Sequence, residues 1–510
     1  MNKRLLLLLL IFITGCNKRS QEITELSNHE SDLIHDLTAF FPGGTQLSIA
    51  VINDTNTDYI GFKKIGDTLQ YIENKDAVFE IGSITKVFTS TLLTYLLLDS
   101  IIGLNDTVED ILPFSLNQSG KETKKITYKT LANHTSGLPS LPEDWEEEIL
   151  HKNGNIYESY DTHALLDYLK NRLTLVGTPG NDYLYSNLGY GLLGYLIEHI
   201  NKAGYEVLLQ NTICKRYNLK STTTDVRKVQ HKIIPGLDAQ GNMISYWDLN
   251  SLKAAGGILS SVSDLTKFIQ ANFKEDAVLS YQRQETYGWG NFGVALGWHI
   301  TKIGGNLCAW YYHSGSKDGY RSALYMDPVR KRAVVVLSNV SAYHLNNNNI
   351  DKLAYELLKL EYLKSSDNGD CVAPFIEMAL KKGWGGRKRD SLKQIQFPKN
   401  TLFGVWQKNS HNRIDTRTFF PDNKVQTDFI GDKEIDVWGF YSLDANIVTV
   451  IDIGGACCPA DGIYNFDIVN DTLQFFVISD NCEGRRMGLS GNWIRSNTPN
   501  DENISEVYKE

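Results

Sequence analysis

From Ser83 to Leu98 the chain reads Ser-Ile-Thr-Lys-Val-Phe-Thr-Ser-Thr-Leu-Leu-Thr-Tyr-Leu-Leu-Leu. This stretch restricts the fold more than any other. Val87, Phe88, Leu92, Leu93, Leu96 and Leu97 cover most of the circumference of a helix. A helix apolar nearly all round belongs inside a large domain. At its head Ser83 and Lys86 stand at i and i+3, on one face. A Lys there needs a reason, because an unpaired buried charge is costly. The bland account is a capping Ser and a Lys that snorkels to water.

The chain of 510 residues allows two or three domains, and 42% hydrophobic residues supply material for real cores. Gln46 to Asn53 alternates in the strand manner, and Tyr59 to Ile65 is suited to pair with it. Helices are expected at Thr162–Arg172, at Tyr190–Asn201, and at Val262–Phe273 with Ser263 or Asp264 as cap. Strand-like runs follow at Asn306–His313, Tyr320–Met326 and Arg332–Ser338, the last two forming a hairpin through Asp327-Pro328. Asp351–Leu363 reads as an amphipathic helix. Strands at both ends with helices between predict an α+β fold, one antiparallel sheet flanked by helices, over 35–364. Residues 365–396 read as a linker. From 397 to 497 short runs such as Phe403–Gln407, Thr416–Phe420, Ile447–Asp452, Ile463–Val469 and Leu473–Ile478 predict an all-β barrel. Residues 498–510 form a polar tail.

At the other end, Lys3 and Arg4 precede an apolar run from Leu5 to Ile13. The run is too short to span a bilayer, which takes about 20 residues, and suits a signal peptide over 1–15. It ends Ile13-Thr14-Gly15-Cys16, which resembles the lipobox of bacterial lipoproteins. The resemblance implies lipidation of Cys16, a tether over 16–34 and a place in the bacterial cell envelope, periplasmic or at the cell surface. In an exported protein the remaining cysteines are candidates for disulfides, among them a bridge from Cys457 or Cys458 to Cys482. Their spacing resembles no zinc site. With 51 basic and 60 acidic residues the net charge is −9, and no basic stretch interleaves with aromatics. That argues against a nucleic-acid partner.

The chemistry concentrates in three places. A desolvated Lys86 with a lowered pKa can activate the Ser83 hydroxyl. Ser314 and Lys317 repeat the spacing, so spacing alone is a weak signal. Tyr185-Ser186-Asn187 adds a phenol suited to a base or relay, and an amide suited to bind substrate. His313-Ser314-Gly315 ends a strand-like run, where Gly315 lets a substrate approach the strand edge. Ser83-x-x-Lys86, Tyr185-x-Asn187 and His313-x-Gly315 occur in the order and spacing of the class C-type β-lactamase relatives. Phe79-Glu80-Ile81-Gly82, Leu131 to Pro139 and Ala255 to Ser261 match as phrases too. Over about residues 35–362 the chain resembles that family of β-lactamases, penicillin-binding carboxypeptidases, D-stereospecific aminopeptidases and esterases.

The resemblance implies an acyl-enzyme mechanism. Ser83 is the nucleophile, Lys86 and Tyr185 manage the proton, and either could be the base. Backbone N–H groups of Ser83 and Ser316 form the oxyanion hole; such donors typically contribute ~2.7–4 kcal/mol each. Asn187, His313, Gly315 and Ser316 bind substrate. No cofactor and no metal are implied. Many β-lactamases have Lys where His313 stands, and His is frequent in the peptidase and esterase members. The implied substrate is therefore a small peptide or ester, including peptides with D-amino acids. The alternatives are a β-lactamase or penicillin-binding carboxypeptidase or transpeptidase, and a tethered sensor that acylates without turnover. His134 reads as a structural loop histidine, Gly256-Gly257 as backbone packing near the site, Trp298 as cleft or core, and Asn346–Asn349 as a solvated loop. The C-terminal barrel resembles the lipocalin-like domains appended to some peptidases of the family, closing on Leu489-x-Gly491-x-Trp493-x-Arg495. It would gate the site, mediate oligomers, bind a ligand or cap passively. The oligomeric state is not legible.

Overall fold

The computed structural model describes residues 28–364, apart from 67, 117–124, 143–159, 247, 304–307 and 345, and most of 402–495. The signal peptide, Cys16, the linker, the tail and the Cys457/Cys458–Cys482 bridge lie outside the described residues; of the tether expected over 16–34, residues 28–34 instead belong to the helix Asn28–Thr38, which buries Leu33 and Ile34. Cys308 is disulfide-bonded and Cys214 is a buried free thiol.

In chain order, β1 is Gln46–Asn53, β2 Asn56–Ile65, β3 Thr68–Tyr71, β4 Phe79–Glu80, β5 Gly236–Leu237, β6 Met243–Ile244 and β7 Leu259–Ser260. Next come β8 (Tyr287–Trp289), β9 (Phe292–Val294), β10 (His299–Ile303), β11 (Cys308–Lys317), β12 (Tyr320–Asp327) and β13 (Arg332–Ser338). Nine of them form one sheet in the order β3-β2-β1-β13-β12-β11-β10-β9-β8, while β4 pairs with β7 and β5 with β6. Every pairing in the large sheet is antiparallel. β13 is buried at all seven positions, as expected of Ala-Val-Val-Val-Leu covered on both faces.

Helices cover those faces. On one side the helices Asn28–Thr38 and Asn349–Lys364 pack Leu33, Ile34, Leu353, Leu357 and Leu358 against Leu47, Ile49, Val334 and Val336. On the other, Thr85–Leu98, Asn187–Asn201 and Val262–Asn272 pack Phe88, Leu93, Leu192, Leu196 and Phe268 against Ala50, Ile52, Val335 and Leu337. Phe88 stacks on Phe268 at 4.6 Å. Each fully buried side chain of this size contributes ~1.5–3 kcal/mol, so this layer fixes the helix that carries Ser83. The cap of Val262–Asn272 is Ser261, whose hydroxyl accepts from the Asp264 N–H; the expected Ser263 or Asp264 lies two or three residues further on, already inside the helix. β11 does not end at His313 but runs on to Lys317.

From β14 to β21 the strands close into an antiparallel barrel: Gly404–Ser410, Arg413–Phe419, Lys424–Asp428, Val437–Asp444, Ile447–Gly454, Asp461–Val469, Thr472–Ser479 and Asn492–Arg495. β21 pairs with both β14 and β20 and so seals it. Lys424–Asp428 and Val437–Asp444 add to the runs named from the sequence, the first only five residues long and crossed by polar side chains, the second eight residues long and interrupted by Gly439. Trp406 and Trp493 are fully buried in its core.

Candidate active site

Ser83 stands where a strand turns into a helix. β4 ends at Glu80, and Gly82–Ile84 makes a single tight turn that runs into Thr85–Leu98. Gly82 has φ of +50°, and a Cβ there would stand 2.6 Å from the Ser316 backbone nitrogen. Glycine meets both demands. A Cβ on Gly315 would collide with the Ile81 carbonyl, which accepts instead from Ser322 Oγ at 2.9 Å. These two glycines let the turn carrying Ser83 lie directly on β11. β10 pairs with β11 only as far as Tyr312, so His313 to Ser316 lie beyond the β10 pairing on that side. Ser83 is half-buried and Ser316 exposed, so the edge is accessible.

Lys86 is fully buried. Its Nζ lies 3.0 Å from Ser83 Oγ, 2.7 Å from Asn187 Oδ1 and 2.7 Å from the Ala255 carbonyl oxygen. Burial holds it well below the ordinary lysine value, favouring the neutral amine. A neutral amine has two N–H groups. Asn187 Oδ1 and the Ala255 oxygen can only accept, so they take both, and the lone pair is left for the Ser83 hydroxyl. The ring centroids of Tyr185 and Tyr190 lie 4.8 and 5.5 Å from Nζ. Tyr185 is hydrogen-bonded to Ser83, and burial pushes its phenol above the ordinary range. Asn187 opens the helix Asn187–Asn201, capped by Ser186 Oγ accepting from the Gly189 N–H at 2.9 Å. The three expected motifs thus converge on one point.

Histidines surround it. His313 Nδ1 lies 2.7 Å from the Ser314 carbonyl oxygen, which can only accept, so the proton is on Nδ1. Its Nε2 is a buried acceptor without a partner among the described residues. Burial, with His299 and Lys86 nearby, holds His313 well below the ordinary histidine value. His134 accepts from the Ser186 N–H at Nδ1, at 3.1 Å, and lies 4.2 Å from the Tyr185 ring. It is a structural loop residue that positions Tyr185. His299, which the sequence reading passed over, is brought down to about 4 by burial. Its ring is 4.9 Å from His313, and Nε2 lies 2.7 Å from the Tyr183 hydroxyl. Nothing in its local sequence marks it; the pairing of His299 with Tyr312 across β10 and β11 places it there.

The other candidates fall into place. Lys317 forms a buried ion pair with Glu80 and lies 4.7 Å from the Tyr246 ring. Burial outweighs the attraction of Lys317 and raises Glu80 to about 7. Ser314 Oγ donates to Asp351, so Ser314 and Lys317 part company, as i and i+3 must on a strand. Trp298 is fully buried and belongs to the core. A Cβ on Gly256 would lie 3.8 Å from the Gly82 carbonyl carbon, and Ala255 supplies the Lys86 acceptor, so this glycine pair packs against the site. Among the described residues no cluster of His, Cys, Asp or Glu is arranged to hold a metal.

A Ser-Lys pair at the head of a buried helix, faced by a Tyr and by the edge of an antiparallel sheet, defines the class of serine-dependent β-lactamase-like folds. The Beta-lactamase family matches residues 43–356, more than half of the chain, and the protein belongs to it. "Protein flp" of Staphylococcus aureus is 29% identical over 286 residues, covering 52% of this chain and 54% of the relative. A Pseudomonas fluorescens "Beta-lactamase" is 28% identical over 227 residues, 44% of this chain and 59% of that one. The chain therefore spans little more than half the length of these curated relatives. Among solved structures, an octameric penicillin-binding protein homologue from Pyrococcus abyssi superposes with a TM-score of 0.57 at 20% identity, covering 91% of this chain and 99% of that chain. A D-stereospecific amidohydrolase from Streptomyces gives 0.51 at 22% identity, covering 62% and 95%. These structures share the fold.

Proposed function

We propose that the protein is a serine hydrolase acting through an acyl-enzyme on peptide or ester substrates, including peptides that carry D-amino acids. The observation that carries this reading is the buried amine of Lys86, 3.0 Å from Ser83 Oγ, with both N–H groups occupied elsewhere. Ser83 attacks the carbonyl and Lys86 takes its proton. Tyr185 stays protonated beside Ser83 and relays the proton to the leaving group. The Ser83 and Ser316 N–H groups receive the oxyanion, and water releases the acyl group. The relatives named as a D-stereospecific amidohydrolase and as a β-lactamase/D-alanine carboxypeptidase from Pseudomonas syringae fit this substrate class.

His313 separates the reading from efficient β-lactam hydrolysis. It offers a neutral acceptor where a permanent cation would attract a carboxylate. The guanidinium of Arg321, cross-strand from Ser316, is held by Asp351 at 2.7 Å. The test is intact-mass analysis after treatment with a fluorophosphonate and, separately, benzylpenicillin. The expected result is a fluorophosphonate adduct on the wild type and none on Ser83→Ala, with no lasting penicillin adduct. A long-lived penicillin adduct would establish the penicillin-binding or sensor alternative, and rapid cephalosporin turnover the β-lactamase one. No adduct at all on folded wild type would overturn the reading.

We further propose that Cys16 anchors the protein in a bacterial envelope membrane through acyl chains. No helix among the described residues is long and apolar enough to cross a membrane. Cys16→Ser is expected to move the protein from the membrane to the soluble fraction of expressing cells. Unchanged membrane partition would remove the anchor.

A further inference from the structure

A continuous aromatic wall leads away from the catalytic serine. Tyr185, bonded to Ser83, lies 6.3 Å from the His299 ring, His299 lies 5.8 Å from Phe292, and Phe292 lies 4.6 Å from Trp289. Tyr183 fills the angle, 5.3 Å from Phe292 and 6.0 Å from Trp289. Tyr312 adds a face 5.2 Å from His299, and Tyr287 one 5.7 Å from Trp289. The outer part sits on the β8–β9 hairpin, the end of the sheet beyond β10. That is the side on which His313 to Ser316 lie beyond the last β10 pairing, at Tyr312.

Three features mark the wall as a binding surface rather than core. Trp289, its outermost ring, is 42% exposed, and Tyr183, Phe292, His299 and Tyr312 are all half-buried. Two of the polar handles are tied down: the Tyr183 hydroxyl lies 2.7 Å from His299 Nε2, and the Tyr287 hydroxyl donates to the Asn181 carbonyl at 2.7 Å. Glu285, just before the hairpin, pairs with Lys302 of β10 at 2.8 Å, and Asp182 is the charge that acts on Tyr287 at its outer end. His299 is neutral at neutral pH, so the surface presents flat rings without a permanent charge among them. Side chains on one face of an extended peptide recur about every 7 Å, so a substrate running outward from Ser83 carries the side chains of its first few residues past these rings.

We propose that this wall is a specificity subsite for an uncharged aromatic side chain carried by the substrate within a few residues of the scissile carbonyl. The proposal rests on the hydrolase reading with Ser83 as nucleophile. Offset and edge-on packing between such a side chain and Trp289, Phe292 and Tyr183 adds to the area buried. A charged side chain finds no counter-ion on these rings.

The test uses the full-length protein and two pairs of amides. One pair differs only in carrying benzyl or methyl on the acyl half, the other only in carrying them on the amine half. In at least one pair kcat/KM is expected to favour benzyl by about tenfold or more. Trp289→Ala and Phe292→Ala should each collapse that ratio toward one, and Trp289→Phe should retain most of it. Melting curves confirm that the variants are folded; should one fail to fold, the wild type and Trp289→Phe still report the ratio. Turnover without a benzyl preference in either pair, or a preference that survives Trp289→Ala, would overturn the subsite while leaving the hydrolase reading intact. Absence of turnover together with absence of a fluorophosphonate adduct on Ser83 would overturn both.

Discussion

Lys86 is fully buried, and among the described residues no carboxylate pairs with it; all three polar neighbours of its Nζ are uncharged. The nearby histidines are neutral for the same reason, burial, reinforced by one another and by Lys86. Tyr185 and Lys86 move in opposite directions under one physical cause: desolvation raises the phenol and lowers the amine, disfavouring the charged form of each. Of the two, only the amine is thereby moved toward its proton-accepting form. The sign for activity follows. Protonation of Lys86 removes the lone pair from Ser83, so fluorophosphonate labelling should fall as pH drops through the folded value, which lies well below 10.5. The sign for stability agrees: the unfolded chain binds this proton more tightly, so stability attributable to Lys86 rises with pH between the folded and unfolded values. Lys86→Ala should slow labelling about 10²–10⁴-fold and abolish the acid limb of its pH profile. An acid limb unchanged in Lys86→Ala would transfer the base role elsewhere.

At the scale of elements, much of the site could be read before the fold was known. The serine helix, the Tyr185-Ser186-Asn187 turn and β11 each carry chemistry on an element recognisable by period or by Gly placement, and the motif order ties them together. What the sequence could not show is contact between elements distant in the chain. Ala255 contributes a carbonyl, and any residue there would have one, so nothing in its side chain signals that it receives a Lys86 N–H. His299 reads as an ordinary alternating strand position; only the pairing of β10 with β11, opposing His299 to Tyr312, brings it beside His313. Gly82 and Gly315 were legible as glycines, yet their reason is mutual. Each clears space for the backbone of the other's segment, and the bonds Ser322 Oγ to Ile81 O and Ile81 N to Ile258 O then hold the turn between the β11–β12 pair and the Ala254–Ile258 segment. Element ends were also blurred where two signals competed. β11 continues past the glycine that seemed to end it, because β12 supplies partners for Ser314 to Lys317. Ser261 rather than Ser263 caps its helix, because a cap must precede the first helical residue.

For the whole molecule, separate cores imply separate folding units. The two clusters that sandwich the large sheet draw only on residues before 365, and the barrel cluster only on residues from 402 onward. The barrel's backbone ladder is complete within itself, since β21 returns to β14. Its interior is filled rather than hollow at the residues described. Trp406 and Trp493 donate their indole N–H to the Leu402 and Leu489 carbonyls at 2.7 and 3.1 Å, and Arg485 grips Asp480 through two bonds of 2.7 and 2.8 Å with neither side chain exposed. A buried pair of this kind is stable only while both members remain, so Asp480→Ala should unfold the barrel at a cost of about 3–5 kcal/mol. Because Lys86, Ser83, Tyr185 and Asn187 owe their positions to the first two clusters alone, that damage should stop at the barrel. Calorimetry of wild type is expected to show two transitions, of which Asp480→Ala lowers one and leaves the other in place. The rate of Ser83 labelling by a small fluorophosphonate, measured below both transitions and again between them in the variant, should stay within about twofold of wild type, as additivity predicts for distant sites without shared partners. A single transition lowered as a whole, or labelling lost together with the barrel, would show instead that the catalytic fold depends on the barrel.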